Sequence, residues 1–117
     1  GDIVIISREN TNEPPIVKRI IGKENDVIDI DFHNNTVSVN GKILDEPYVS
    51  TPTQRSFDVS FPLTVPENCV FVLGDNRNHS LDSRSSLVGC VDENRILGKV
   101  LVRLTPEITF FIGQKGY

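Results

Sequence analysis

The chain has 117 residues, with 16 acidic against 12 basic side chains and a formal net charge of −4. That length suits one domain with a core of its own, and the acidic balance lacks the basic footprint that nucleic acid or an anionic lipid surface requires. The longest apolar runs, such as residues 3–6 and 100–102, fall far short of the roughly 20 residues needed to cross a bilayer.

In chain order, the apolar run Ile3 to Ile6 predicts a first strand. Residues 10–15, with Thr11-Asn12-Glu13-Pro14-Pro15, predict a loop in which Pro15 biases Pro14 towards extended geometry. The loop leads into a second apolar run, Ile16 to Gly22, predicted to lie antiparallel to the first and interrupted by Lys18-Arg19. Gly22 to Asp26 then turns, with Asn25 at the left-handed position that asparagine adopts more cheaply than other side chains.

Val27, Asp29 and Asp31 alternate with Ile28, Ile30 and Phe32, a period of two that predicts a strand. His33-Asn34-Asn35 makes the next turn. Asn40-Gly41 between two short β-prone runs predicts a two-residue hairpin of type I′. Residues 47–66 carry Pro47, Pro52, Pro62 and Pro66 among many Ser and Thr; this predicts a long extended connection with edge strands only, and the most mobile part of the chain.

Val70 to Leu73 reads as a hydrophobic strand feeding the polar turn Gly74 to Arg84. A short helical turn is expected near Asp92 to Arg95. Beyond it Ile96, Gly98, Val100, Val102 and Leu104 alternate with Leu97, Lys99, Leu101 and Arg103 as another strand. No run longer than about eight residues shows a 3.6-residue apolar period, so the fold is expected to be all-β.

Two segments carry chemistry. Lys18 is flanked by Ile16, Val17, Ile20 and Ile21; an amine desolvated in such a strand has a lowered pKa and can act as a base. Gly74 to Arg84 reads Gly-Asp-Asn-Arg-Asn-His-Ser-Leu-Asp-Ser-Arg, and its sharp turn can bring Asp75, Ser80, Asp82 and Arg84 together. Taken singly, Lys18 reads as a solvent-facing edge residue and Ser80 as a turn former. Taken together, hydroxyl and carboxylates can orient the amine.

The two segments resemble two boxes of the type I signal peptidases, membrane-bound serine proteases with a Ser/Lys dyad that remove leader peptides from exported proteins. Gly-Asp-Ile-Val at residues 1–4 is similar to the strand after the family's nucleophile, Lys18 to Gly22 to its lysine box, and Gly74 to Arg84 to its last box. Val39-Asn40-Gly41 and Glu46-Pro47-Tyr48 add two further landmarks.

The resemblance implies a coiled antiparallel β-sheet core from about residues 1–26 and 66–112, with a smaller β lobe from about 27–65 inserted between them. It implies Lys18 as general base, Ser80 as the hydroxyl that aims it, and two bracing ion pairs, Arg19 with Asp75 and Asp82 with Arg84. A substrate strand would add alongside Ile16 and Val17, with Ile5 and Val17 lining pockets that favour small residues at the first and third positions before the cut. No metal or organic cofactor is implied. The implied partners are preprotein signal peptides and the membrane, the latter through an N-terminal anchor, and the implied location is the outer face of a bacterial cell membrane. The 62 residues separating Lys18 from Ser80 resemble the compact Gram-positive type. His79 is expected at the surface, with Asn76 and Arg77 closing the turn after Gly74.

One departure stands out. The family's nucleophile lies in a Ser-x-Met-x-Pro segment upstream of Gly-Asp-Ile-Val, yet here Gly-Asp-Ile-Val opens the chain, which contains no methionine. The expectation is a piece of a longer protein whose preceding part holds the anchor and the serine, so that this chain by itself is inactive. Two alternatives stay open: a non-catalytic relative acting in binding or assembly, as in pilus construction, against which the retention of Lys18 argues, and a self-cleaving, repressor-like Ser/Lys peptidase with a DNA-binding domain upstream. Cys69 and Cys90 bracket the last box; they are either two buried small apolar residues or a bridge across it.

Overall fold

The computed structural model describes residues 1–8, 13–49, 53, 56–105 and 107–113, with residues from 101 onward described by backbone alone. Residues 9–12, 50–52 and 54–55, which include part of the expected 10–15 loop and part of the expected 47–66 connection, lie outside the described residues. Ten strands and one short 3-10 turn follow in order: β1 (Ile3–Ile6), β2 (Ile16–Lys23), β3 (Val27–Asp31), β4 (Thr36–Val39), β5 (Lys42–Ile43), β6 (Leu63–Thr64), β7 (Cys69–Leu73), β8 (Val91–Asp92), the 3-10 turn Glu93–Arg95, β9 (Ile96–Thr105) and β10 (Glu107–Gly113). Among the described residues no helix is long and apolar enough to cross a membrane.

The strands form two antiparallel sheets, a six-stranded one in the order β10-β9-β1-β2-β7-β8 and a four-stranded one in the order β5-β4-β3-β6. This is the all-β architecture the alternation predicts. β1 sits inside the larger sheet between β2 and β9. The strands β8 and β10 are not singled out by the sequence reading.

Local chemistry accounts for the turns. Asn40 (φ 53°) and Gly41 (φ 82°) both occupy the left-handed region, as a type I′ hairpin demands. Asn25 does the same at φ 69°. Asp31 Oδ1 accepts from the backbone N–H groups of His33 and Asn34, closing the β3–β4 turn. Asp92 accepts from Asn94 N–H at 2.8 Å and caps the expected turn at 93–95. β6, from the proline-rich connection, is the edge strand expected there.

The larger sheet is apolar on both faces because it packs twice. Val4, Ile6, Ile20, Val70, Val72, Val91 and Ile96 form one buried cluster. Phe71 and Leu73, which point the other way along β7, join Ile28, Ile30, Val37 and Val65 of the smaller sheet and its connections in a second. Phe61 bridges the layers, with ring centroids 6.1 Å from Phe32 and 5.8 Å from Phe71.

A bulge in β2 lets one strand serve both clusters. Ile20 pairs with Val72, but the next pair is Gly22 with Phe71, so Ile21 is the extra residue and the phase of alternation reverses there. Gly22 thereby meets the second cluster at close range; a Cβ on it would lie 2.4 Å from Ile28 Cδ1.

Candidate active site

Strand β2 supplies the lysine. In register with β1, Lys18 pairs with Val4 and Ile16 with Ile6, whereas Arg19 pairs with Ile3 and Val17 with Ile5. Directly paired residues share a face of the sheet and successive residues alternate. Lys18 and Ile16 therefore lie on the side of the first cluster, and Arg19, Val17 and Ile5 on the opposite side.

Strand β7 delivers the other half. After Leu73 the chain turns sharply and folds back, so that Ser83 N–H donates to Val72 O and Ser83 Oγ accepts from Val72 N–H at 2.9 Å. This doubling back sets Ser80 over Gly74 and against Lys18, whose Nζ donates to Ser80 Oγ at 2.7 Å. The lysine and the hydroxyl, 62 residues apart in the chain, thus meet as the two segments together predict.

The amine is half-buried. Burial pulls its pKa below the ordinary 10.5; the Asp82 carboxylate pushes the other way, and the cations Arg84 and Arg8 add to the lowering. Desolvation dominates, which is the direction expected of a lysine set among Ile16, Val17, Ile20 and Ile21.

Two ion pairs frame this contact. Arg19 grips Asp75 with two bonds, Nε to Oδ1 and Nη2 to Oδ2, each 2.9 Å, and this hydrogen bonding raises the arginine's pKa against the cost of its partial burial. Arg84 Nε and Nη2 donate to Asp82 Oδ1 and Oδ2 at 2.9 and 3.0 Å, with both side chains fully buried. Asp82 Oδ2 also accepts from Gly74 N–H at 3.0 Å, and Arg84 Nη2 reaches Arg77 O at 2.7 Å. The pair therefore ties both ends of the turn together. His79 is exposed, as expected.

Arg77 is the residue whose role the sequence understates. It closes the turn by donating from Nε to Gly74 O at 2.7 Å, but its side chain is also fully buried and pairs with Glu46, with Nη1 on Thr53 Oγ1 at 3.0 Å. Tyr48, two residues beyond Glu46, lies under the Arg19 guanidinium at 3.8 Å. The visible signal was the Glu46-Pro47-Tyr48 landmark itself.

Beside the lysine, an open groove is lined by Ile3, Val17, Lys18, Arg19 and Asp75. Among the described residues no strand pairs with residues 16–18 on the side away from β1, because β7 joins β2 only from Arg19 onward. Val17 is 56% exposed there. Of the three residues expected to bind substrate, Ile5 and Val17 are cross-strand neighbours, while Ile16 faces the other way and packs on the first cluster.

The cysteines are free thiols, partly buried against the second cluster. Burial pushes the Cys90 thiol up from 9.0 to about 11, with Cys69 adding to the rise.

Comparison with known proteins points to one family. A family model described as signal peptidase, peptidase S26, matches residues 1–105. The chain is 40% identical over 118 aligned residues to a signal peptidase I of Bacillus amyloliquefaciens, covering 95% of this chain and 56% of that protein. It is 41% identical over 111 residues to a probable signal peptidase I-2 of Synechocystis, covering 91% and 48%. It thus spans about half the length of the curated relatives it matches. The crystal structure of a signal peptidase I from Enterococcus faecalis superposes with a TM-score of 0.68 at 30% identity, over 86% of this chain and 93% of that one. A lysine strand and a Gly-Asp-Asn-Arg turn that meet on a two-sheet β scaffold, together with these matches, show that the chain belongs to the signal peptidase family, peptidase S26.

Proposed function

We propose that this chain supplies the general-base part of a Ser/Lys endopeptidase that removes leader peptides from exported preproteins, at the outer face of a bacterial membrane to which a preceding anchor holds it. The observation that carries this reading is the 2.7 Å contact between Lys18 Nζ and Ser80 Oγ, with the amine half-buried and its pKa lowered. A neutral amine accepts a proton, and Ser80 holds the amine's direction without itself attacking.

The attacking hydroxyl belongs to a serine upstream of Gly1. Lys18 takes its proton as the oxygen bonds to the scissile carbonyl, then passes that proton to the departing amine as the carbon–nitrogen bond breaks, leaving an acyl-enzyme that water hydrolyses. Arg19 with Asp75 holds the two segments in register, and Asp82 with Arg84 holds the turn that carries Ser80. The substrate lies extended along residues 16–18, where among the described residues β2 is paired only with β1, and takes main-chain bonds from that edge with Val17 and Ile5 beneath its side chains. The chemistry uses no metal or organic cofactor.

The test compares two proteins on a fluorogenic leader peptide. The 117-residue chain is expected to give no turnover. The longer protein that carries the upstream serine is expected to cleave, and Lys18→Ala to lower its rate on the order of a hundredfold or more. Undiminished cleavage by that variant would sink the reading.

A further inference from the structure

Lys18 and Arg19 are consecutive on β2 and so point to opposite faces of the sheet. The lysine's face carries the contact with Ser80, and the arginine's face carries a chain of contacts that the peptidase reading does not itself require. The Arg19 guanidinium lies 3.8 Å from the centre of the Tyr48 ring, within the range of a cation–π attraction. Tyr48 Oη donates to Glu46 Oε2 at 3.2 Å. The same carboxylate takes Nη2 of Arg77 at 2.5 Å, and Arg77 Nε donates to Gly74 O at 2.7 Å. Gly74 is the residue over which Ser80 sits.

The contacts therefore run from the lysine strand, through two residues on the connection that leaves the small sheet, to the turn that carries Ser80. They form a second route between the two halves of the site, alongside the direct Arg19–Asp75 pair. The Arg77 end is stiff, because a fully buried guanidinium is costly to leave unpaired. The Tyr48 end is stiff because a half-buried ring with two torsions has little freedom to lose.

We propose that Tyr48 and Glu46 are positioning residues: by holding Arg19 and Arg77 they fix the lysine strand against the Gly74–Arg84 turn and so set the approach of Lys18 to Ser80. The inference deepens the peptidase reading and depends on it only for its functional meaning. With the brace loosened, the turn lifts from β2 and water reaches the amine.

The experiment follows Lys18 in the 117-residue chain, through the pH titration of its Cε–H NMR signals, alongside thermal unfolding. Tyr48→Leu is expected to raise the Lys18 midpoint by about half a pH unit or more, towards the solvated value. Tyr48→Phe, which keeps the ring against Arg19 but cuts the bond to Glu46 through which the contacts run, is expected to raise the midpoint by a smaller part of that shift. Val37→Ala, a core truncation in the small sheet, is expected to lower the melting temperature without moving the midpoint, which separates positioning from general destabilisation. If Tyr48→Leu does not fold, Glu46→Asp, which draws the carboxylate back from Arg77, is expected to shift the midpoint upward by a smaller amount.

A Lys18 midpoint unchanged in folded Tyr48→Leu, or in Glu46→Asp should that variant carry the test, would overturn the proposal, as would an equal shift in Val37→Ala. Because the titration needs no substrate, those results remove the brace and leave the peptidase reading intact. An inactive longer protein would do the reverse.

Discussion

Ser80 occupies the space that a side chain on Gly74 would fill: a Cβ built there would come within 1.8 Å of Ser80 Oγ and 3.4 Å of Lys18 Nζ. The glycine is needed for its emptiness, since its backbone lies outside the left-handed region and suits any residue. Gly74→Ala should push Ser80 aside and break its bond to Lys18, at a cost of about 1–3 kcal/mol for overpacking. Urea unfolding of the chain, with the Lys18 titration alongside, checks both effects; an unperturbed Lys18 with native stability would contradict them.

Asp82 and Arg84 are fully buried, and Asp82 also holds Gly74 N–H. Removing the carboxylate strands a buried guanidinium. Asp82→Ala should therefore destabilise the chain by about 3–5 kcal/mol. Asp75→Ala, whose carboxylate is 35% exposed, should cost clearly less. Chemical denaturation of both variants tests the ordering, and a reversed order would contradict it.

The lowered pKa of Lys18 makes stability depend on pH with a defined sign. In the window between its folded pKa and 10.5 the unfolded chain binds more protons at this site, so the site's contribution to stability rises with pH. Below that window the charged, half-buried amine is a full liability. Lys18→Met, of similar length and uncharged, should be the more stable protein at neutral pH, with the gap closing as pH climbs towards 10.5. Cys90 opposes this trend, since its raised pKa makes stability fall between about 9 and about 11; that fall is common to both proteins and cancels in their difference. A gap that widens with pH would reverse the argument.

Cys90 should also be a poor nucleophile. With its thiol pushed up to about 11, the thiolate fraction at pH 8 falls on the order of a hundredfold below that of an ordinary cysteine. Iodoacetamide labelling of the folded chain followed by peptide mass mapping should show Cys90 modified slowly and released by denaturant. Labelling as fast as free cysteine would be inconsistent with the burial described.

Legibility from sequence divides along the line between local and tertiary chemistry. Asn40-Gly41, Asn25 and Asp92 each announce their turns because one residue's own backbone or side chain determines the conformation. Lys18 and Ser80 stand out only when two segments are taken together, neither of which suffices alone. Arg77 reads from sequence only as closing its turn, since nothing local shows that an arginine in a polar loop is covered by Glu46 and Thr53 far upstream. The strands β8 and β10 escaped because a two-residue strand and a run such as Phe110-Phe111-Ile112 present no alternation to count. The separation of Ile16 from Ile5 and Val17 follows from the period of two once the register with β1 is known, and register is a property of the pair, not of either strand.

The extra residue at Ile21 has one more implication. Because it stands outside the pairing that sets Ile20 opposite Val72 and Gly22 opposite Phe71, deleting Ile21 alone would restore regular alternation and keep Gly22 against Ile28, with Lys18 where it is. What such a deletion gives up is the Ile21 side chain, which packs on the second cluster. Descendants of this chain that lose this one residue should keep the pairs on either side of it, Ile20 with Val72 and Gly22 with Phe71.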